Sequence, residues 1–438
     1  MNKLKDNLLI KNIIILLVSG ALTKILGMVG KIIYTRIAGI NVVSLYTMIT
    51  PTFMLLISIC QFSFPISISK LSAEEKYKDN DLLKNAYLIG IIINIILIIF
   101  IILFSDFISN MLHNKSLAPI IRTITFILPF VTISSIQRGF LHGKENMLPA
   151  SITNITEEMI KIALIIGILP FSIVKSNITA VISIILFNII TEVVSITIMQ
   201  KTINKKYLKT KDSNINKKII KEIIDISIPT TLVRLISSLG FFLEPIILTN
   251  ILLKTGFSSN YITLEYGIIN SYVIPLLSIP TFFSLSIASA LLPNLTKEYT
   301  IKRYKQFNRK LLKLMLLSMC VGSICLIFIL LFPKFILNTI YNINLGINYI
   351  YLVGPFFLIL YMQPTLTAAI QSMNKTNKLF KVSITSMLCK YISLTIFGLL
   401  NKGMKSLIYA IIIGIITTTL QLIIIVLKEL SNKNTDYI

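Results

Sequence analysis

Twelve apolar stretches, each long enough to cross a lipid bilayer, fill most of this 438-residue chain, and several carry a lysine or arginine at what would be membrane depth. A spanning helix needs roughly 20 apolar residues. Lipid offers no hydrogen bonds, so runs of this length must satisfy their backbone internally, as helices do. A cation near the bilayer centre costs at least about 2.5 kcal/mol, so such residues face a water-filled cavity or a partner. The chain therefore reads as an all-α integral membrane protein with a cationic interior. Its 14% charged residues fall well below the roughly 25% of soluble domains.

Apolar runs bounded by charge or turn residues place the spans at 12–35, 43–68, 82–104, 117–137, 147–170, 177–200, 222–252, 265–290, 311–333, 348–371, 380–400 and 404–428. The first lacks a small-residue cleavage pattern and holds Lys24 and Lys31, so it is not expected to be removed as a signal. Most of the 42 basic residues fall in the even-numbered loops and the two tails. The excess of cations in cytoplasmic loops then puts both termini in the cytoplasm. A composition rich in isoleucine, lysine and asparagine points to an AT-rich bacterial genome, which makes the expected membrane a bacterial cytoplasmic one. The net charge of +24 follows from topology determinants such as Lys205, Lys206, Lys217, Lys218, Lys302 and Arg303, which lie close to anionic lipid head groups. No nucleic-acid partner is expected. Cys60, Cys320, Cys325 and Cys389 lie in apolar segments without metal-type spacing, and His113 and His142 are the only histidines, so no metal site is expected.

The basic stretch divides the chain into an N-terminal six-helix lobe (1–201), a cytoplasmic linker (202–221) and a C-terminal six-helix lobe (222–438). Six spans per half make both halves enter from the same side, as in a parallel repeat. Weak echoes support one. Leu22-Thr23-Lys24 resembles Leu232-Val233-Arg234, Phe64-Pro65 resembles Leu292-Pro293, and Lys161 has a counterpart in Lys390.

Within the first span Gly20, Lys24, Gly27 and Lys31 share one helical face. Glycines there allow close approach, and the two lysines point into a cavity, unless Lys31 snorkels to the interface. Arg234, near the middle of the seventh span, offers the planar fork of donors that suits phosphate oxygens; the alternative is an ion pair with Glu244 or Glu265. Lys390 has Ser383, Ser386 and Ser393 beside it, with binding and structural readings equally open. Glu157 and Lys161 have the spacing of a helical salt bridge. Glu158, Asp225 and Glu244 are candidates for coupling to Na⁺ or H⁺, and Pro51, Pro65, Pro229, Pro275, Pro280 and Pro364 are candidate hinges.

Three motifs resemble those of a known group. Phe64-Pro65-Ile66-Ser67-Ile68-Ser69-Lys70 is similar to the Gly-Pro-x-Ala-Ile-Ser-Lys signature of the stage V sporulation protein B and polysaccharide-exporter group, with phenylalanine in place of the glycine. The run Arg138-Gly139-Phe140-Leu141-His142-Gly143-Lys144-Glu145-Asn146-Met147-Leu148-Pro149-Ala150-Ser151 resembles that group's Arg-Gly-x-x-x-Gly-x-x-Asn-x-x-Pro-x-Ala/Ser segment. Thr23-Lys24-Ile25-Leu26-Gly27 with Thr35-Arg36-Ile37-Ala38-Gly39 is similar to its first span. The resemblance covers essentially the whole chain. It implies the multidrug/oligosaccharidyl-lipid/polysaccharide exporter superfamily, whose relatives include the lipid II flippase, and a two-lobed fold around a central cavity.

On this reading Lys24, Lys31, Arg234 and Lys390 hold the diphosphate of a polyprenyl-linked saccharide, a cell-envelope or spore-cortex precursor, while the lobes rock between access states. A monomer without an organic cofactor is expected, and no covalent chemistry. A drug/cation antiporter of the same fold would need a cavity carboxylate where the deep charges are mainly basic. A membrane-embedded glycosyl- or acyltransferase would need an acid/base cluster that neither histidine supplies.

Overall fold

The protein is described here by a computed structural model covering residues 2–207 and 214–434. Among those residues there are helices and no strands: α1 (Asn2–Cys60), α2 (Phe64–Ala73), α3 (Asp79–Met111), α4 (Leu117–Ile124), α5 (Leu128–Gly143), α6 (Met147–Gly167), α7 (Leu169–Lys175), α8 (Asn177–Lys206), α9 (Lys217–Lys254), α10 (Ser259–Gly267), a π-helical turn (Ile268–Val273), α11 (Ile274–Ser278), α12 (Thr281–Thr300), α13 (Tyr304–Leu331), α14 (Pro333–Tyr341), α15 (Ile347–Leu360), α16 (Gln363–Ser372), α17 (Thr376–Leu399) and α18 (Lys405–Asn434).

Every expected span falls mainly on helix, with some, such as 43–68, 117–137 and 348–371, broken inside the span, at 61–63, 125–127 and 361–362. Among the described residues nine helical stretches are long and apolar enough to cross a membrane, ten with the pair Ser259–Ser278 and Thr281–Ala288, bent by 50° at Pro280. The shortfall from twelve has two physical sources. The stretch Val18–Ala73 is 56 residues long, about 84 Å at 1.5 Å per residue, against a hydrocarbon core of about 30 Å. It therefore holds two crossings, separated at Gly39, whose backbone (φ 71°, ψ 168°) leaves the helix. The other source is Met147–Gly167, where Glu157, Glu158 and Lys161 lower the apolar content.

The expected helix breaks are only partly where the prolines are. Pro65 follows a break at Phe62 and Ser63, both in the left-handed region (φ 43° and 49°). Pro275 lies in the first turn of α11 and Pro280 just beyond its end, and Pro364 lies in the first turn of α16 after a break at Tyr361–Met362. Pro51 and Pro229 lie inside continuous helices.

The chain forms two compact units meeting in sequence between Leu243 and Glu244. That boundary lies inside α9, beyond the 202–221 linker, because the first half of α9 bonds side chain to side chain with the α1–α2 region. Ser227 and Thr231 meet Ser67 and Ser63 at 2.8 and 3.1 Å.

In the first unit small residues set the spacing. At Gly27 a β-carbon would lie 3.6 Å from Glu158 Oε2, and at Gly30 3.1 Å from Ile162, so α1 packs closely on α6. Gly139 and Gly143 of α5 lie against the backbone of α2. Around these contacts Phe64, Ile68, Leu82, Ile136, Phe140, Met199 and Ile223 form a core. In the second unit Phe307, Leu311, Leu366, Ile370 and Leu422 do the same.

Polarity is inverted relative to a water-soluble protein. On α3 the exposed residues include Ile91, Ile95, Ile99 and Leu103, while Asn85, Asn94, Ser105 and Ser109 are buried. Apolar outside and polar inside is the arrangement that lipid favours. Many interior hydroxyls bond to a carbonyl of their own helix, as Thr47 does to Val43 (2.6 Å) and Thr50 to Tyr46 (2.7 Å). They are thereby satisfied without a partner helix.

Candidate functional site

Arg234 sits on the face of α9 that carries Ser227, Thr231 and Ser238, spaced four, three and four residues apart. That spacing keeps side chains on one helical face. Its guanidinium donates from Nη2 to Gln61 Oε1 at 2.6 Å, and no carboxylate pairs with it among the described residues. The ion pair with Glu244 that the sequence left open is not formed. Glu244 accepts instead from Lys390, with Tyr266 Oη donating to its other oxygen at 3.4 Å. Glu265 accepts from Tyr349 at 2.8 Å.

The Lys390–Glu244 pair lies in the second unit. Their side chains are 23% and 7% exposed, so the pair is largely out of water. Gly414 of α18 lies against it: a β-carbon there would meet the Lys390 methylenes at 3.8 Å, an ordinary contact. Lys390 thus arrives with a counter-ion built in, and Glu244 with a built-in cation.

In the first unit, Gly27 places the shared face of Lys24, Gly27 and Lys31 beside Glu158, with Lys24 exposed and Lys31 half-buried. Asp225 is exposed on α9. The expected Glu157–Lys161 bridge gives way to a stronger arrangement: Arg138 Nη1 donates to Asn154 Oδ1 at 2.6 Å, while its Nη2 and Ser195 Oγ both donate to Glu157 Oε1. A guanidinium fork can hold two acceptors at once, which the lysine cannot match. Beside this network Glu192 Oε2 is buried without a hydrogen-bond partner.

Sequence reasoning missed Gln61, Arg138 and Glu192. Glu192 had a signal, an acidic residue inside an apolar run. Arg138 heads the motif that carried the resemblance, and Gln61 adjoins the proline signature of α2; as a neutral amide it gave no sign.

Among the described residues, each unit holds a cavity of its own with polar side chains in its lining. One of about 460 Å³ in the first unit is lined by Tyr87, Asn94, Thr132, Gln137 and Gln200 among isoleucines. One of about 570 Å³ in the second unit is lined by Thr281, Gln363, Pro364, Thr367 and Gln371. It sits at the breaks before α12 and α16.

Near the linker, polar contacts tie the chain down. Lys76 Nζ and Tyr77 Oη donate to Glu222 Oε1 at 2.6 and 2.8 Å, and the first of these bonds holds the Lys76 ammonium above its ordinary value. Asp81 and Asn85 at the start of α3 accept from the backbone amides of Asn214 and Asn216 at 2.6 and 3.0 Å.

Comparison with known proteins adds to this geometry. The family model described as "Polysaccharide biosynthesis protein" matches residues 9–299, and one described as "MatE" matches 245–396. Stage V sporulation protein B of Bacillus subtilis (strain 168) is 28% identical over 431 residues, covering 94% of this chain and 82% of that protein. Sporulation protein YkvU of the same organism is 23% identical, covering 94% of each. Among solved structures, an inward-facing multidrug resistance MATE family transporter superposes with a TM-score of 0.73 at 14% identity, covering 94% of this chain and 96% of that one. The lipid II flippase MurJ, inward closed, superposes with a TM-score of 0.72 at 15% identity, covering 96% and 90%. At such identities these likenesses concern the fold. The family model spans well over half the chain, and with the apolar helices it settles the class: the chain is a multi-pass membrane protein that belongs to the polysaccharide biosynthesis protein family, within the multidrug/oligosaccharidyl-lipid/polysaccharide exporter superfamily.

Proposed function

We propose that this protein is a flippase for a polyprenyl-diphosphate-linked saccharide, working by alternating access in a bacterial cytoplasmic membrane with both termini inside. The observation that carries the reading is Arg234: an arginine in a membrane-spanning helix, bound to a neutral amide and to no carboxylate among the described residues. A charge left uncompensated at that depth favours an anion, and a guanidinium fork suits a diphosphate. Lys24 and Lys31, in the same unit, add positive potential that concentrates anions and repels cations. Similarity to stage V sporulation protein B over nearly the whole chain supports a cell-envelope or sporulation role. Lys390 contributes less to such a site, since Glu244 already neutralises it. Coupling to Na⁺ or H⁺, if used, would run through Glu158 or Asp225 ahead of Glu244.

The test is flipping of a fluorescent polyprenyl-diphosphate saccharide in proteoliposomes. Arg234→Lys is expected to lose most activity, because an ammonium cannot reproduce the fork. Arg234→Ala should abolish flipping yet leave a folded, inserted protein. Full activity in Arg234→Ala, or thermal stabilisation by cationic dyes with none by diphosphate lipids, would move the assignment to a drug/cation antiporter.

The orientation is tested separately. A cysteine replacing Lys205 should react with an impermeant maleimide only from the cytoplasmic side, and one near Lys254 or Lys334 only from outside. Labelling of Lys205→Cys from outside would invert the assignment.

A further inference from the structure

Four side-chain bonds join α9 to the α1–α2 break in register. Ser58 meets Ser238 at 2.9 Å, Gln61 meets Arg234 at 2.6 Å, Ser63 meets Thr231 at 3.1 Å and Ser67 meets Ser227 at 2.8 Å. The residue numbers rise on one side as they fall on the other, so the two segments run antiparallel along a continuous seam. Ser63, Ser67, Ser227 and Thr231 are buried.

The rungs are unequal. Three join hydroxyl to hydroxyl, and in the outermost both partners have a carbonyl of their own helix to use: Ser58 donates to Met54 O at 2.8 Å and Ser238 to Arg234 O at 3.2 Å. Such hydroxyls lose little when a neighbouring helix withdraws. The fourth rung carries the only charge. Its acceptor, Gln61, is fixed by a backbone in which the next two residues, Phe62 and Ser63, both hold left-handed φ without being glycine. Non-glycine residues in that region are held there by their surroundings, and such strain concentrates at sites that act. The strained turn thus presents one neutral oxygen to a guanidinium with further donors to spare.

We propose that Gln61 is a placeholder for the substrate's phosphate. It occupies Arg234 in the absence of substrate. A phosphate oxygen, charged and able to take two donors, replaces it, and the exchange unlatches the first half of α9 from the α1–α2 break. Gln61 is a positioning residue: it sets which state of α9 the guanidinium favours and never enters the bound complex. This rests on the diphosphate reading of Arg234, and the test separates the two.

The test uses the full chain with Cys60, Cys320, Cys325 and Cys389 replaced by alanine, carrying Ser63→Cys with Thr231→Cys as a reporter of the seam. Oxidative cross-linking is timed with and without undecaprenyl diphosphate, and the melting temperature is recorded alongside. The lipid is expected to raise the melting temperature and slow cross-linking several-fold. Gln61→Ala should slow cross-linking without lipid, and Gln61→Glu, which gives Arg234 a true counter-ion, should speed it and make it insensitive to lipid. A raised melting temperature with an unchanged cross-linking rate would overturn the exchange while leaving the binding site standing. No lipid effect on either measurement would overturn the diphosphate reading and the exchange with it. Equal rates for Gln61→Ala, Gln61→Glu and the parent would show that Gln61 does not hold the seam.

Discussion

Replacing Lys390 by methionine is expected to cost about 3–5 kcal/mol of folding stability, because it leaves the Glu244 carboxylate buried without its cation. Glu244 is 7% exposed and its other hydrogen bond, from Tyr266 at 3.4 Å, is long, so little else compensates its charge. The loss should appear as reduced folded yield and a lower melting temperature in detergent. Adding Glu244→Gln to Lys390→Met should recover most of it, since a neutral pair of similar volume avoids the desolvation of both charges. A double variant as unstable as the single would mean that the pair matters for its packing and not its charge. Arg234→Ala is the informative contrast, since Arg234 neutralises no carboxylate and should cost far less.

The second large effect is expected at Gly143. A β-carbon there would overlap the Ser69 carbonyl oxygen and crowd the Ser72 β-carbon, 2.8 Å away. Backbone cannot yield as a side-chain tip can, so α5 and α2 must separate, and overpacking of this kind costs about 1–3 kcal/mol or more. Gly139, one turn earlier, has the same neighbour: a β-carbon would lie 2.8 Å from Phe64 O and 3.0 Å from Pro65 Cα. Gly143→Val, and Gly139→Ala with Gly143→Ala together, should fail to yield folded protein. Gly20→Ala in α1, with nothing within 4 Å, should be tolerated or gain about 0.5–1 kcal/mol from a stiffer helix. Size-exclusion profiles of the three variants decide between packing and flexibility as the reason for these glycines.

The positions of the crossings were legible because length and apolarity are local properties. Each expected segment, from 12–35 to 404–428, lies mainly on helix. The partition was less so: the N-terminal half of α9 bonds with the α1–α2 break, a pairing that no local pattern records. Site chemistry divides the same way. That Arg234 is a cation at membrane depth is visible in the chain; that its partner is Gln61 depends on a contact 173 positions away. Lys390 and Glu244 are 146 positions apart. Glu157 with Lys161 had the right spacing on one helix, yet Arg138 from α5 displaces the lysine, because helical proximity weighs less than a guanidinium from a neighbouring helix. Glu192, an acid inside an apolar run, has a buried oxygen as unusual in a membrane interior as any of the lysines.

The break at Gly39 has a bearing on how this chain tolerates change in length. Several other helices are joined by short loops, such as 342–346, that can take up an added residue. At Gly39 one helix passes into the next through a single residue whose angles suit glycine alone. With no slack at the junction, the azimuths of the two arms are phase-locked. Adding or deleting one residue turns everything downstream by about 100° about the helix axis, swinging the buried Val42, Val43, Met48 and Ile49 out toward lipid. Length at this junction is therefore as strictly specified as residue type.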